Sequence, residues 1–150
     1  MTPKQKDLAR RFVACKHWRW MPGMRCTHRW TGGIRVLADE NGEQSESYVV
    51  VPGARGNAVM AVGECGIMGS FPGVGSPYPL LPDLTDPATL GCILALVRRA
   101  YDKSDVYVTP YRRPFGPEQW ICWRLKNDTS SAVGRGSSEA EALLLALEAA

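Results

Sequence analysis

The chain has 150 residues, 45% of them hydrophobic and 22% charged, with a formal net charge of +3. This composition belongs to a soluble globular protein and excludes a disordered or fibrous one. No run of about 18 apolar residues is present to form a transmembrane helix. The length suits a single domain, 1–150, with one real core. The start of the chain is basic and polar with no apolar h-region, so no secretory signal is expected. Five cysteines, an odd number without disulfide-like spacing, point to a reducing cytoplasm.

The charge is unevenly placed. Residues 1–35 carry nine Lys or Arg against one acid, Asp7, a net of +8, and the remainder sums to −5. A basic end on an acidic body predicts an anionic partner for that end, or the body itself.

Thr2-Pro3-Lys4-Gln5 reads as an N-cap, a proline at the first helical position and a reciprocal Gln. The helix it opens is expected to run to about Cys15, with Leu8, Phe12 and Cys15 on one stripe. His17-Trp18-Arg19-Trp20 alternates as a short strand does, and Pro22-Gly23 ends it. Ile34–Ala38, Ser47–Val51 and Ala58–Val62 read as a three-stranded meander. Asn41-Gly42 supplies the positive φ of a type I′ turn between the first two. Residues 63–85 are rich in Gly and Pro without periodicity and form a long loop, of the kind that often carries function.

The stretch from Leu81 to Asp102 organises the rest. Asp86 is an N-cap and Pro87 sits at the first helical position. Leu90, Ile93, Leu94, Val97 and Tyr101 follow at helical spacing, and Arg98 and Arg99 stand in the last turn, where the dipole favours cations. The apolar run from Ala88 to Val97 predicts a helix covered on most faces, and Gly91 inside it predicts a close backbone neighbour. Asp105–Tyr111 and Trp120–Lys126 read as strands joined by a turn at Arg112–Pro117. Gly134-Arg-Gly136-Ser-Ser138 reads as a turn and cap, and Ser138-Glu-Ala-Glu141 as a capping box before a helix carrying Leu143, Leu144 and Leu147. The order α-β-β-β-α-β-β-α gives an α+β fold, three helices packed on a mostly antiparallel sheet.

Cys15-Lys16-His17 and Cys26-Thr27-His28 place four residues of the types that tetrahedral zinc takes within fourteen positions. A one-residue gap strains both ligands of a pair onto one metal, so the competing reading is two buried thiols and two surface histidines. No cofactor is expected. Arg10, Arg11, Lys16, Trp18, Arg19, Trp20, Arg25, Arg29 and Trp30 form a basic-aromatic interleave that suits nucleic acid, cations tracking phosphates and indoles stacking on bases. The plainer alternative puts Trp18 and Trp20 in the core with Lys16 and Arg19 solvated. Nothing meets the criteria for an active site; a Cys26–His28 nucleophile pair is a formal possibility, and the chain is expected not to be an enzyme. Loop 63–85 with the Arg112–Pro117 turn offers Phe71, Tyr78, Arg112, Arg113 and Phe115 as a protein-binding surface.

Three blocks, Trp18-Arg-Trp-Met-Pro-Gly-Met24, Pro82-Asp-Leu-Thr-Asp-Pro-Ala-Thr-Leu-Gly91 and Glu139-Ala-Glu-Ala-Leu143, resemble in sequence and order a group of small proteins encoded by bacteriophages and prophages. The resemblance implies a phage accessory protein in a bacterial cytoplasm, without implying catalytic residues. Together the readings favour a non-catalytic protein that engages a host protein or defence component, with nucleic acid as the alternative partner and no membrane. The oligomeric state is not encoded in any pattern of these residues.

Overall fold

A computed structural model describes residues 2–29, 45–53, 56–61, 67–70, 80–102, 105–112, 116–126 and 129–150. Three helices, α1 (Pro3–Ala14), α2 (Pro87–Ala100) and α3 (Glu139–Glu148), are separated by runs of strands. Between α1 and α2 lie β1 (Arg25–Arg29), β2 (Ser45–Gly53), β3 (Gly56–Ala61), β4 (Ile67–Ser70) and β5 (Leu81–Pro82). Between α2 and α3 lie β6 (Val106–Tyr111), β7 (Gln119–Lys126) and β8 (Thr129–Gly136). The α+β class, the three helices, the antiparallel pairing and the order of helices and strand runs are those expected. The strands are divided between two sheets, ordered β4-β3-β2-β1-β5 and β6-β7-β8.

Local details depart from expectation at three places. His17–Trp20 forms no strand: the chain leaves α1 through a turn closed by the Trp18 N–H on the Cys15 carbonyl at 2.9 Å, and β1 begins only at Arg25. Gly23, at φ +92°, supplies the turn before it, a conformation that favours glycine. The Gly/Pro-rich stretch contains β4 and β5. Gly134–Gly136 belongs to β8 and is not a turn. The expected strand Ile34–Ala38 and the Asn41-Gly42 turn lie outside the described residues.

The chain forms two compact units: residues 1–19 with 90–150, and residues 20–89. The second holds the five-stranded sheet, in which β1 pairs with β2 (Arg25 opposite Val49) and with β5 (Cys26 opposite Pro82). β2 and β3 pair from Tyr48–Ala61 to Gly53–Gly56, as the expected hairpin requires. Met24, Cys26, Leu80, Pro82 and Leu84 are buried here. So is Thr89, the one buried polar or charged residue among those described. Its hydroxyl accepts the Arg25 N–H at 2.8 Å and donates to Asp86 Oδ2 at 2.8 Å. That same oxygen caps α2 by accepting the Thr89 N–H at 2.8 Å. The start of β1 and the start of α2 are therefore joined through one side chain.

In the first unit α3 lies on one face of the β6-β7-β8 sheet. Val106 and Cys122 are fully buried on that face, and Gly134 stands opposite Cys122 in register. A Cβ at Gly134 would collide with the Ala142 carbonyl and stand 2.7 Å from the Ala146 nitrogen; one at Gly136 would stand 2.7 Å from the Ala142 nitrogen. The helix thus rests on bare strand backbone, with Ala142 and Ala146 as its contact residues. Helix α1 runs parallel to α3, since Lys4 pairs with Glu141 at 3.5 Å and Arg11, seven residues on, with Glu148 at 2.7 Å. Leu8, Ala9 and Phe12 are buried. The end of α2 is held by the Tyr101 hydroxyl on the Ala146 carbonyl (3.1 Å) and Arg98 Nε on the Val106 carbonyl (2.8 Å).

The caps follow the sequence with one shift. Thr2 and Gln5 form the full capping box of α1. At α3, Ser138 Oγ accepts the Glu141 N–H at 3.2 Å, but Glu141 returns to the preceding Ser137, accepting its N–H at 2.8 Å and its hydroxyl at 2.6 Å. Those bonds, with Lys4 nearby, hold the Glu141 carboxyl below its usual range. Along the apolar run of α2 from Ala88 to Val97, only Ala88 and Gly91 are exposed, and Leu90, Cys92, Leu94 and Ala95 are half-buried. Thr89, Ile93, Leu96 and Val97 form one buried stripe, while Gly91 is exposed with nothing within 4 Å of a built Cβ among the described residues.

Gly134→Ala is expected to destabilise by about 1–3 kcal/mol or more, the range of overpacked sites. Gly91→Ala is expected to stabilise by about 0.5–1 kcal/mol through helix propensity. Urea unfolding of both variants measures the difference, and equal effects would contradict the close approach of α3. Thr89→Val, which strands the Arg25 amide, is expected to cost about 1–3 kcal/mol in the same assay.

Candidate functional site

The two units differ in charge. The first carries fourteen Lys and Arg against eight Asp and Glu, a net of +6; the second carries four against seven, a net of −3. Part of the first unit's charge is consumed locally. Arg11 makes two contacts with the Glu148 carboxylate, Nε at 3.2 Å and Nη2 at 2.7 Å, and that hydrogen bond and charge raise its pKa. Lys4 is shared between Glu141 and the Ser137 hydroxyl.

Lys16, Arg19 and Arg99 make no ion pair among the described residues, and they converge. With His17, Trp18, Leu96 and Ala100 they line a pocket of about 460 Å³. The segment after α1 supplies Lys16 to Arg19, and the last turns of α2 supply Leu96, Arg99 and Ala100. Among the described residues no acidic side chain lines it. Lys16 and Arg19 are exposed, while His17 and Trp18 are half-buried. The Trp18 ring sits 5.8 Å from that of the fully buried Phe12, tilted by 45°. Trp18 is thus packed on the core and part of the pocket wall at once, which joins the two readings its sequence context allows. His17 Nε2 is buried with no hydrogen-bond partner among the described residues. An orphaned ring nitrogen of this kind costs about 1–3 kcal/mol. A smaller pocket of about 300 Å³ adjoins Lys16 and is lined also by Arg11, Ala14, Cys15 and Glu148.

The structure redistributes the expected basic-aromatic cluster. Lys16, Trp18 and Arg19 are brought together. Arg10 lies exposed on α1 outside the pocket, and Arg11 is held by Glu148. Trp20, Arg25 and Arg29 belong to the second unit, where Arg25 Nε stands 3.6 Å from Asp86 Oδ1. Trp30 lies outside the described residues. Arg99 is the residue that sequence reasoning missed. Its place in the last turn of α2 is fully explained by the helix dipole, and no linear spacing links it to a segment eighty residues earlier. Of the expected protein-binding surface, Arg112 is exposed and paired with Glu118 at 3.1 Å. Phe71, Tyr78, Arg113 and Phe115 lie outside the described residues.

The expected zinc residues fall in both units, Cys15 and His17 in the first and Cys26 and His28 in the second. Among the described residues no three His, Cys, Asp or Glu group together in a way that could hold a metal ion. The Cys15 thiol points its sulfur at the Leu147 carbonyl, 3.8 Å away. Cys26 is fully buried in β1, and burial pushes its thiol up to about 12; Cys122 is pushed up to about 11 in the same way. Both are protonated thiols at neutral pH, poor as nucleophiles and as metal ligands.

Compared with protein-family models, curated proteins and solved structures, the chain matches none of them.

The thiols give a direct check of this chemistry. Iodoacetamide at pH 8 should leave Cys26 and Cys122 unmodified in the folded protein and label both in urea, as read by peptide mass spectrometry. Labelling of Cys26 in the folded state at the rate of a free thiol would contradict its burial.

Proposed function

We propose that the protein is a non-catalytic binder of single-stranded nucleic acid, and that the pocket lined by Lys16, His17, Trp18, Arg19 and Arg99 is its contact site. The observation that carries this reading is the convergence of three cations, without acidic partners among the described residues, on a wall that includes an indole. Cations beside an aromatic surface are the combination that holds a single strand: the cations attract phosphates, and the indole offers a surface for a base. The net +6 of the first unit adds long-range attraction for a polyanion. In the setting that the three sequence blocks imply, a bacterial cytoplasm holding phage DNA, such strands are present during replication.

Fluorescence anisotropy with labelled single-stranded DNA and RNA at two salt concentrations tests the proposal. If three phosphates are neutralised, log affinity should fall against log salt with a slope of about −2, at about 0.7 per contact. Arg99→Glu should weaken binding by about tenfold or more. Arg135→Glu, the same charge change at an exposed position of β8, should weaken it by about twofold or less. Equal loss in both variants would reduce the effect to net charge and remove the pocket from the mechanism. No binding at low salt would overturn the proposal.

A further inference from the structure

We infer that the pocket takes the end of a strand, by binding a terminal phosphomonoester together with its nucleotide; this rests on the nucleic-acid reading of the same site. Three features of the pocket carry the inference. Its volume of about 460 Å³ falls within the range of about 300–1,000 Å³ that holds a small ligand, room for a single nucleotide. Its charge is concentrated: Lys16, Arg19 and Arg99 contribute three formal positive charges to one cavity whose lining, among the described residues, has no acid. An internal phosphodiester brings one negative charge, whereas a phosphomonoester brings about −1.5 to −2 near pH 7 and three acceptor oxygens. The monoester is the group that matches several converging cations.

The third feature is the composition of the wall. Two guanidinium groups, from Arg19 and Arg99, can each present paired N–H donors to phosphate oxygens, and Lys16 adds a point charge. Trp18 supplies an apolar surface beside them, suited to a base or sugar and superfluous for a bare anion. His17, with its Nε2 lacking a partner among the described residues, adds a polar group at the same wall. A ligand that is ionic at one end and flat and apolar at the other fits this arrangement: the terminal nucleotide of a phosphorylated strand.

The test uses the full chain and fluorescein-labelled oligonucleotides of one sequence, with the 5′ end phosphorylated, the 3′ end phosphorylated, or both ends hydroxyl. The label is carried internally so that both ends are free. Affinity for one of the phosphorylated strands is expected to exceed that for the hydroxyl-ended strand by at least about tenfold. Arg99→Gln should weaken binding of every strand but that of the preferred phosphorylated strand most, so that the preference falls to about twofold or less, and circular dichroism of the variant should match the parent. A nucleoside monophosphate should compete for the phosphorylated strand at lower concentrations than inorganic phosphate does. Equal affinity for all three strands would overturn the end-recognition inference and leave the nucleic-acid reading standing. Failure of every strand to bind would overturn both. Inorganic phosphate competing as well as the nucleotide would overturn the role given to Trp18.

Discussion

The close seating of α3 on the backbone of β8 is the constraint on which the first unit depends. At Gly134 and Gly136 there is no room for a Cβ, because the Ala142 and Ala146 backbone occupies that space. Once α3 is fixed there, the other helices are placed against it. Helix α1 takes its direction from contacts at both ends of α3, Lys4 with Glu141 and Arg11 with Glu148. Helix α2 is tied to α3 near its end by the Tyr101 hydroxyl on the Ala146 carbonyl. The pocket lies between the segment that follows α1 and the last turns of α2, so its shape is inherited from α3 although no residue of α3 lines it.

Magnitudes separate direction from strength in this assembly. The Arg11–Glu148 pair is substantially exposed, with 42% and 36% of its side-chain surface accessible, and pairs of that kind contribute only about 0–1 kcal/mol. Burial of a Phe or Leu side chain contributes about 1.5–3 kcal/mol, so Phe12 and Leu8 hold α1 in place while the ion pairs select its register. The second unit relies on a different device. Thr89 is buried beside backbone groups that would otherwise lack partners, and its hydroxyl satisfies the Arg25 amide while bonding the carboxylate that caps α2. Asp83 extends the arrangement: its N–H donates to the Arg25 carbonyl at 2.9 Å, and its carboxylate accepts from the Thr85 amide and hydroxyl. A polar cluster with its hydrogen bonds made can sit in a core, and it fixes one geometry because each group serves two neighbours.

Charge in this protein is organised by unit and not by stretch of sequence. The linear reading places +8 in residues 1–35, but Arg25 and Arg29 fall in the acidic second unit and Arg11 is neutralised by Glu148. The cations that line the pocket are those whose neighbours in space are also basic, aromatic or apolar. That criterion selects Lys16 and Arg19, adds Arg99 and sets aside much of the original cluster.

The sequence by itself determined the elements whose signals are local. The Thr2/Gln5 capping box, Asp86 as the cap of α2, the Ser138 cap of α3, the β2–β3 hairpin and strands β6 and β7 all follow from caps, turn residues and periodicity within a few positions. From them came the α+β class and the order of helices and strands. Signals that depend on a partner far along the chain were read otherwise. Gly134 and Gly136 have the local signature of a turn, and only the presence of α3 shows that they are strand glycines leaving room for a helix. Gly91 has the signature of a close approach, and the fold leaves it exposed. Arg99 is accounted for by the helix dipole, and only the tertiary structure brings it to Lys16 and Arg19. Local backbone preferences are written in neighbouring residues, whereas a site built from two distant segments exists only after packing has brought them together.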